Sequence, residues 1–315
     1  VDTIVGINWG SSNFRAYLIG LDGRVRDSFG TPAGVATLQR DGMAAMAAGV
    51  RERWPGVERV YAAGMIGSNI GWTDAGYANC PAGARQLCDA LVRARIGGLD
   101  LAIVPGLACT RERDAAPDIM RGEETELVGL LAGGRLERSP VVALPGTHTK
   151  WVRVRDDGIS EFMTAMSGEI YDRMTATGLL SSVVEGQGAD GPAFRDGVRA
   201  AASRSLGLGA MLFGVRARVI RGALERSDAA AYLRGLLIGA EIADALDLYP
   251  EARSASVPLV GSAPVCALYQ AALEELGVAG QSVPSADAVV RGFLEIDALR
   301  RGAAPESLPD LAARA

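Results

Sequence analysis

The sequence predicts an α/β protein made of two similar lobes with a cleft between them. Three observations carry that reading. A pattern of apolar strand, tight turn of Gly and hydroxyl residues, and second strand occurs twice, turning at Gly10 and at Gly146. Each hairpin leads through a further turn into a third strand, and each triplet then gives way to alternating helices and strands. Finally, 315 residues of which 49% are apolar and 22% charged provide a full core and an ordinary globular surface.

Taken in order, Ile4-Val5-Gly6-Ile7-Asn8-Trp9 is continuously apolar up to Asn8, as a buried central strand should be, and the strand leaving the turn, Phe14-Arg15-Ala16-Tyr17-Leu18-Ile19, alternates. Asp22-Gly23 turns into a third strand. Residues 41–53 read as a helix, 57–63 and 101–104 as strands, and 123–131 as a helix with Leu127, Leu130 and Leu131 on one face. A boundary falls near Gly133-Gly134-Arg135, which gives domains at 1–134 and 135–315. The second half repeats the plan: Val141-Val142-Ala143-Leu144 leads in, Lys150-Trp151-Val152-Arg153-Val154 leads out, and Asp156-Asp157-Gly158 turns into a third strand. Helices follow over 168–178 and 229–246, the latter with Gly235 and Gly239 four apart for close helix packing. Residues 257–260 form a strand, 264–276 a helix with proline in its first turn, and 286–300 a final helix. The Pro- and Ala-rich tail, 302–315, reads as frayed.

Composition excludes several chemistries. The 32 basic residues are 31 arginines and one lysine, Lys150, and the sole histidine is His148, so a zinc site or a histidine-rich mechanism has almost nothing to draw on. Cys80, Cys88, Cys109 and Cys266 show no CxxC spacing, which suits reduced thiols in a cytoplasmic protein. The opening residues lack the basic and apolar segments of a signal peptide, and no apolar run approaches a membrane span, so neither export nor insertion in a membrane is expected. A net charge of -5 argues against a nucleic-acid partner while leaving small anions open. Whether the chain forms a homo-oligomer is left open.

Turns built from Gly, Ser, Thr and Asn aim backbone N–H groups and hydroxyls at one point, as a phosphate chain requires where no P-loop or GxGxxG is present. Gly10-Ser11-Ser12-Asn13 and Gly146-Thr147-His148-Thr149 have this composition. Either alone is equally an ordinary hairpin connection; their repetition favours phosphate binding. Lys150 and His148 sit in or beside the second turn, where a phosphate contact competes with a plain strand-edge or surface role. Arg121-Gly122-Glu123-Glu124 places two acids at a helix start, where the macrodipole alone accounts for them; the functional alternative is a carboxylate that accepts a hydroxyl proton. The loop Ala63-Gly64-Met65-Ile66-Gly67-Ser68-Asn69-Ile70-Gly71-Trp72 can bring backbone close to a polyol, or serve as a structural turn. Gly261 and Ser262, between a strand and a helix start, could receive a base or ribose.

Together the two hairpins and the segment Val260-Gly261-Ser262-Ala263-Pro264 resemble the phosphate and adenosine motifs of the acetate and sugar kinase, Hsp70 and actin superfamily. At family level, Asn8-Trp9-Gly10-Ser11-Ser12-Asn13-Phe14-Arg15-Ala16, the loop at 63–72, Met120-Arg121-Gly122-Glu123-Glu124-Thr125, Leu144-Pro145-Gly146-Thr147-His148-Thr149-Lys150-Trp151-Val152, Met166-Ser167-Gly168-Glu169 and Gly235-Leu236-Leu237-Ile238-Gly239-Ala240-Glu241 resemble the 2-dehydro-3-deoxygalactonokinases. The resemblance implies two ribonuclease H-like lobes in the actin-like ATPase fold, the first holding the sugar-acid site and the second most of the nucleotide site. It implies ATP-dependent phosphorylation of the terminal hydroxyl of 2-dehydro-3-deoxygalactonate, with Mg2+ on the phosphates. It places the base on Glu123 or Glu124, with Glu123 preferred, and a substrate anion on Arg15 or Arg121 beside Gly67, Ser68 and Asn69. Gly10, Ser11, Ser12, Asn13, Gly146, Thr147, His148, Thr149, Lys150, Gly261 and Ser262 fall to ATP. One departure stands out: Asn8 occupies the place of the superfamily's usual aspartate, which keeps the shape but loses the charge that would hold Mg2+ through water. A related sugar-acid kinase, or a weakly active ATP and sugar-acid sensor, is therefore the alternative.

Overall fold

Both strand-turn-strand repeats form, and each seeds its own sheet. The structure is a computed structural model and describes residues 2–136, 139–156, 158–285 and 287–302. In chain order the first half contains β1 (Thr3–Trp9), β2 (Phe14–Gly20), β3 (Val25–Thr31), α1 (Arg40–Arg53), β4 (Val60–Ala63), β5 (Tyr77–Asn79), α2 (Ala84–Asp89), β6 (Val92–Ile96), β7 (Leu99–Ile103), β8 (Gly106–Thr110), β9 (Pro117–Met120) and α3 (Glu123–Ala132). The second half contains β10 (Val141–Leu144), β11 (Thr149–Arg155), β12 (Gly158–Ala165), α4 (Ser167–Ala176), α5 (Pro192–Ala202), α6 (Leu208–Ile220), α7 (Arg226–Leu248), β13 (Val257–Leu259), α8 (Ala263–Glu275), β14 (Gly280–Ser282) and α9 (Ala288–Arg300).

The sheets share one order. The first runs β3-β2-β1-β4-β7-β6 and the second β12-β11-β10-β13-β14. In each, the entering strand lies inside the sheet, its hairpin partner antiparallel on one side and a later strand parallel on the other. Burial explains the continuous apolar runs: Val5, Ile7 and Trp9 of β1 pack with Phe14, Met43, Ala47 and Val50. On the opposite face Gly6 meets α9, where an added Cβ would lie 2.3 Å from the Phe293 ring. In the second sheet Val141, Ala143, Trp151 and Leu259 share a core with Ile238, Ile242 and Tyr269 of α7 and α8.

The chain divides into two compact units. The first unit gathers Val1–Glu137, Arg155–Glu161 and Pro284–Ala315, the second Arg138–Val154 and Phe162–Val283. This division differs from a single break near 135, because α9 packs back on the first unit. The packing of α9 against α3 is close enough that a Cβ on Gly129 would lie 1.8 Å from the Ala288 carbonyl oxygen, and one on Gly292 2.0 Å from that of Thr125. The same device joins α7 to α5: Cβ atoms on Gly235 and Gly197 would lie 1.9 and 2.2 Å from the carbonyl oxygens of Phe194 and Tyr232. The four-residue glycine spacing in α7 thus serves the close helix contact expected of it.

Between 77 and 120, β5, β8 and β9 form a separate three-stranded sheet that local patterns do not reveal, and α2, β6, α5, α6 and β14 escape them as well. Strands of three to five residues are too short for alternation to stand out. Asp157 of the turn before β12, and all but the first residue of the tail, lie outside the described residues.

Candidate active site

In the first unit three separated segments converge through glycines. A Cβ on Gly64 (φ 97°) would lie 2.7 Å from the Trp9 carbonyl oxygen, and the Cβ position of Gly122 (φ 109°) is 3.5 Å from the Gly64 Cα. The end of β1, the 63–72 loop and the start of α3 therefore approach backbone to backbone; a side chain at Gly64 would collide with Trp9, and at Gly122 the positive φ disfavours one. Asn8 is half-buried, opposite Arg15 on β2 and Ala63 on β4. The turn after it closes with the Gly10 N–H donating to the Asn13 carbonyl at 2.9 Å, leaving Ser11, Ser12 and Asn13 exposed.

Arg121 is the most unusual group here. Its side chain is 4% exposed, its Nη2 donates to the Gly76 carbonyl at 2.9 Å, and its guanidinium lies 4.5 Å from the Tyr77 ring centroid. Its Nε and Nη1 have no hydrogen-bond partner among the described residues. The Cβ position of Gly67 is 3.1 Å from Nη1, so the 63–72 loop lies directly against that nitrogen. Two buried charged donors without acceptors are costly unless an anion supplies oxygens. Arg15, by contrast, is exposed on β2. Ser68 is buried, with its hydroxyl donated to the Met65 carbonyl at 2.7 Å, and Asn69 is exposed.

The two acids at the start of α3 differ sharply. Glu124 is fully buried, and its Oε2 accepts the Gly122 N–H at 2.6 Å. Burial, reinforced by the neighbouring Glu123 charge, pushes its carboxyl up to about 8. Glu123 keeps partial exposure.

In the second unit, a cavity of about 270 Å³ is lined by Pro145, Gly146 and Thr147 at the hairpin turn, by Ser167 and Gly168 at the start of α4, and by α7 and α8. Leu237, Ile238, Val265 and Leu268 give it apolar walls; Ser262 is at its rim, and the Arg234 guanidinium lies 4.0 Å from the Tyr171 ring centroid beside it. The Cβ position of Gly261 is 3.0 Å from the Pro145 carbonyl oxygen, so the β13–α8 turn abuts the phosphate hairpin.

Gly146, Thr147 and Ser262 therefore line one cavity, with Gly261 behind. His148, Thr149 and Lys150 do not line it. His148 is exposed, its Nε2 2.6 Å from Glu169 Oε2, a contact that holds the Glu169 carboxyl below its ordinary range. The Thr149 hydroxyl faces inward, 2.8 Å from Tyr269 Oη. Lys150 is buried in β11 opposite Leu144 and engaged within the protein, on the sheet face opposite Thr149 and Trp151. Sequence reasoning assigned no role to Ser167, Tyr171, Arg234, Glu241 or Tyr269. Glu241 did carry a signal: an acid within an apolar helical run.

No three His, Cys, Asp or Glu residues among those described cluster as a metal site. The half-buried amide of Asn8 offers a neutral oxygen, a donor set that fits Mg2+ carried mainly by phosphate oxygens.

The repeated strand order and the turn at the end of each entering strand define the class: a mixed α/β protein of two ribonuclease H-like units, as in the actin-like ATPases and sugar kinases. At 11% identity the activator of 2-hydroxyisocaproyl-CoA dehydratase from Clostridium difficile shares this fold, with a TM-score of 0.50 over 95% of this chain and 96% of that one. More specifically, the family model of 2-keto-3-deoxy-galactonokinase matches residues 8–296, and the chain belongs to that family. It is 35% identical to the 2-dehydro-3-deoxygalactonokinase of Escherichia coli (strain K12) over 87% of this chain and 90% of the relative. It is 36% identical to a probable 2-dehydro-3-deoxygalactonokinase of Rhizobium meliloti (strain 1021), over 91% and 94% respectively. The crystal structure of a candidate 2-dehydro-3-deoxygalactonokinase from Sinorhizobium meliloti superposes with a TM-score of 0.83 at 33% identity, covering 94% of this chain and 98% of that one.

Proposed function

We propose that this protein phosphorylates the terminal (6-) hydroxyl of 2-dehydro-3-deoxy-D-galactonate with ATP, a step of galactonate catabolism. The observation that carries the reading is the match to the kinase family along almost the whole chain. The cavity of the second unit supports it, since an apolar slot ending on exposed backbone at Gly146 and Thr147 suits a base at one end and phosphates at the other. Leu237, Ile238, Val265 and Leu268 would hold adenine, Ser262 and Gly261 the ribose, and Gly146 and Thr147 the phosphates; the first unit's own turn, Gly10, Ser11, Ser12 and Asn13, has the composition of a phosphate turn as well. His148 would steady the turn through Glu169.

In the first unit Arg121, whose buried Nε and Nη1 have no hydrogen-bond partner among the described residues, would donate to oxygens of the sugar acid, its carboxylate among them. Gly67, Ser68, Asn69 and Arg15 would border the rest of the sugar acid. Glu123 would take the proton of the 6-hydroxyl as that oxygen bonds to the γ-phosphorus and the bond to the bridging oxygen of ADP breaks. Glu124, buried and held neutral near pH 7, would fix the start of α3 rather than exchange protons with substrate. Mg2+, when bound, supplies neutralisation of phosphate charge, with Asn8 the residue that would hold it through water. The kinase names of the relatives leave nothing to favour the sensor alternative.

The test is an ADP-release assay with Mg2+, ATP and a panel of 2-dehydro-3-deoxy sugar acids. Turnover should be fastest with the D-galactonate derivative. Bound ATP without turnover on any member of the panel would overturn the proposal.

A further inference from the structure

Behind Ser167 and Tyr269, which line the second unit's cavity, lies a buried polar cluster that no step of phosphoryl transfer uses. At its centre is Glu241 of α7, 4% exposed. Trp151 Nε1 of β11 donates to its Oε1 at 2.8 Å. Its Oε2 accepts the hydroxyls of Ser167, at the start of α4, and of Tyr269 of α8, the latter at 3.0 Å. Tyr269 Oη in turn lies 2.8 Å from the Thr149 hydroxyl, which accepts the Gly146 N–H at 3.4 Å. One carboxylate thus ties together the two polar walls of the cavity. Through Tyr269 and Thr149 it reaches the hairpin turn, and through Ser167 it reaches the start of α4. The two walls also touch directly: the Glu169 N–H donates to the Thr147 carbonyl at 3.1 Å, and a Cβ on Gly168 would lie 2.5 Å from the Gly146 carbonyl oxygen.

A buried carboxylate with three donors and no cation among them carries a desolvation cost that a leucine in the same core would avoid. Burial pushes its carboxyl up, the donated hydrogen bonds recover only part of that, and the carboxyl remains raised to about 7. The cluster does more than fill space, because each of its members except Trp151 belongs to, or borders, a segment lining the cavity.

We propose that Glu241 is a positioning residue for the nucleotide: acting through Tyr269, Thr149 and Ser167, it sets the spacing and orientation of the two backbone segments that receive the phosphates. This rests on reading the cavity as the nucleotide site. The direction of the hydrogen bonds follows from the chemistry. An indole N–H can only donate, so Oε1 must accept; an ionised Oε2 then lets Ser167 and Tyr269 donate, and lets Thr149 donate to Tyr269 while it accepts from Gly146. In Glu241→Gln the amide oxygen must stay on Trp151, which turns the NH2 toward Ser167 and Tyr269 and reverses the chain up to the turn without changing its shape.

The test is calorimetric titration of Mg2+-ATP into the wild type, Glu241→Gln, Tyr269→Phe and the double variant, together with steady-state kinetics varying ATP and sugar acid in turn. Both single variants should raise the Kd and KM for ATP roughly 10-fold, the scale of one hydrogen bond to a charged group, and leave the KM for the sugar acid unchanged. The double variant should fall short of the product of the single effects, because both act through one chain. ATP binding by the variants within twofold of a wild type that binds ATP overturns the inference, as does a loss confined to kcat, which reports a smaller folded fraction. A wild type that does not bind ATP removes the nucleotide reading itself, and the inference with it. Should Glu241→Gln not fold, Tyr269→Phe, which deletes one oxygen and keeps the ring, decides alone.

Discussion

Glu123 and Glu124 are neighbours in sequence and of one residue type, yet their surroundings divide them. Glu124 is sealed in the core on its own helix start, while Glu123 is only half-buried. Glu123→Gln should therefore lower kcat by about 100-fold or more while leaving the Kd for ATP unchanged, since general-base contributions are of that order. Glu124→Gln should leave most of the turnover; the reverse pattern in a kcat and Kd comparison would move the base to Glu124. Arg121 and Arg15 separate in the same way. Arg121→Lys loses the two-pronged fork although it keeps the charge, and should raise the KM for the sugar acid roughly 10-fold or more without moving the KM for ATP, whereas Arg15→Lys should do much less. Among 31 arginines no local pattern marks Arg121; the burial of its side chain beneath Gly67 and beside Tyr77 does.

The helices of each unit are joined by glycines at which carbonyls occupy the place of a side chain. Gly235→Ala or Gly292→Ala forces a methyl group to within about 2 Å of a carbonyl oxygen, and should cost about 2–3 kcal/mol in denaturant unfolding as α5 or α3 is pushed away. Gly49→Ala is the control. It lies in α1 with nothing near its Cβ position, and should stabilise by about 0.8 kcal/mol through helix propensity alone. The spacing of Gly235 and Gly239 made one of these contacts readable from sequence, because a four-residue interval is one face of a helix. The α3–α9 contact was not readable, because its glycines are far apart in the chain. Lys150 teaches the converse: its place beside a phosphate turn pointed outward, but strand alternation directs it into the sheet, to the face opposite Thr149.

Across the molecule, burial of acids makes stability depend on pH. The ordinary value for Glu124 is 4.5 and its folded value about 8; Glu241 shifts the same way to about 7. Between those limits the folded chain binds more protons than the unfolded one, so the stability these groups contribute is full below about 4.5 and is lost as pH rises through 7 to 8. Tm measured by calorimetry should fall from pH 6 to pH 8, and Glu124→Gln should flatten that fall. If the second unit binds ATP, nucleotide at a hundred times its Kd should add about 2.7 kcal/mol of stability by mass action, raising Tm at any pH in that range.

The class of this protein was written in its local patterns. Two strand-turn-strand repeats, their glycine turns and the alternating helices and strands after them suffice for two similar units, because strand periodicity and turn chemistry act over a few residues; the family strings along the chain did the rest. Which of two adjacent glutamates stays neutral, which arginine is buried with N–H groups left without a partner among the described residues, and which acid ties the cavity walls together were decided only when distant segments packed. Those properties come from desolvation and from partners far away in the chain: Gly67 above Arg121, or Trp151, Ser167 and Tyr269 around Glu241. A run of neighbouring residues does not specify how much water a side chain loses or which donors surround it once the chain has folded.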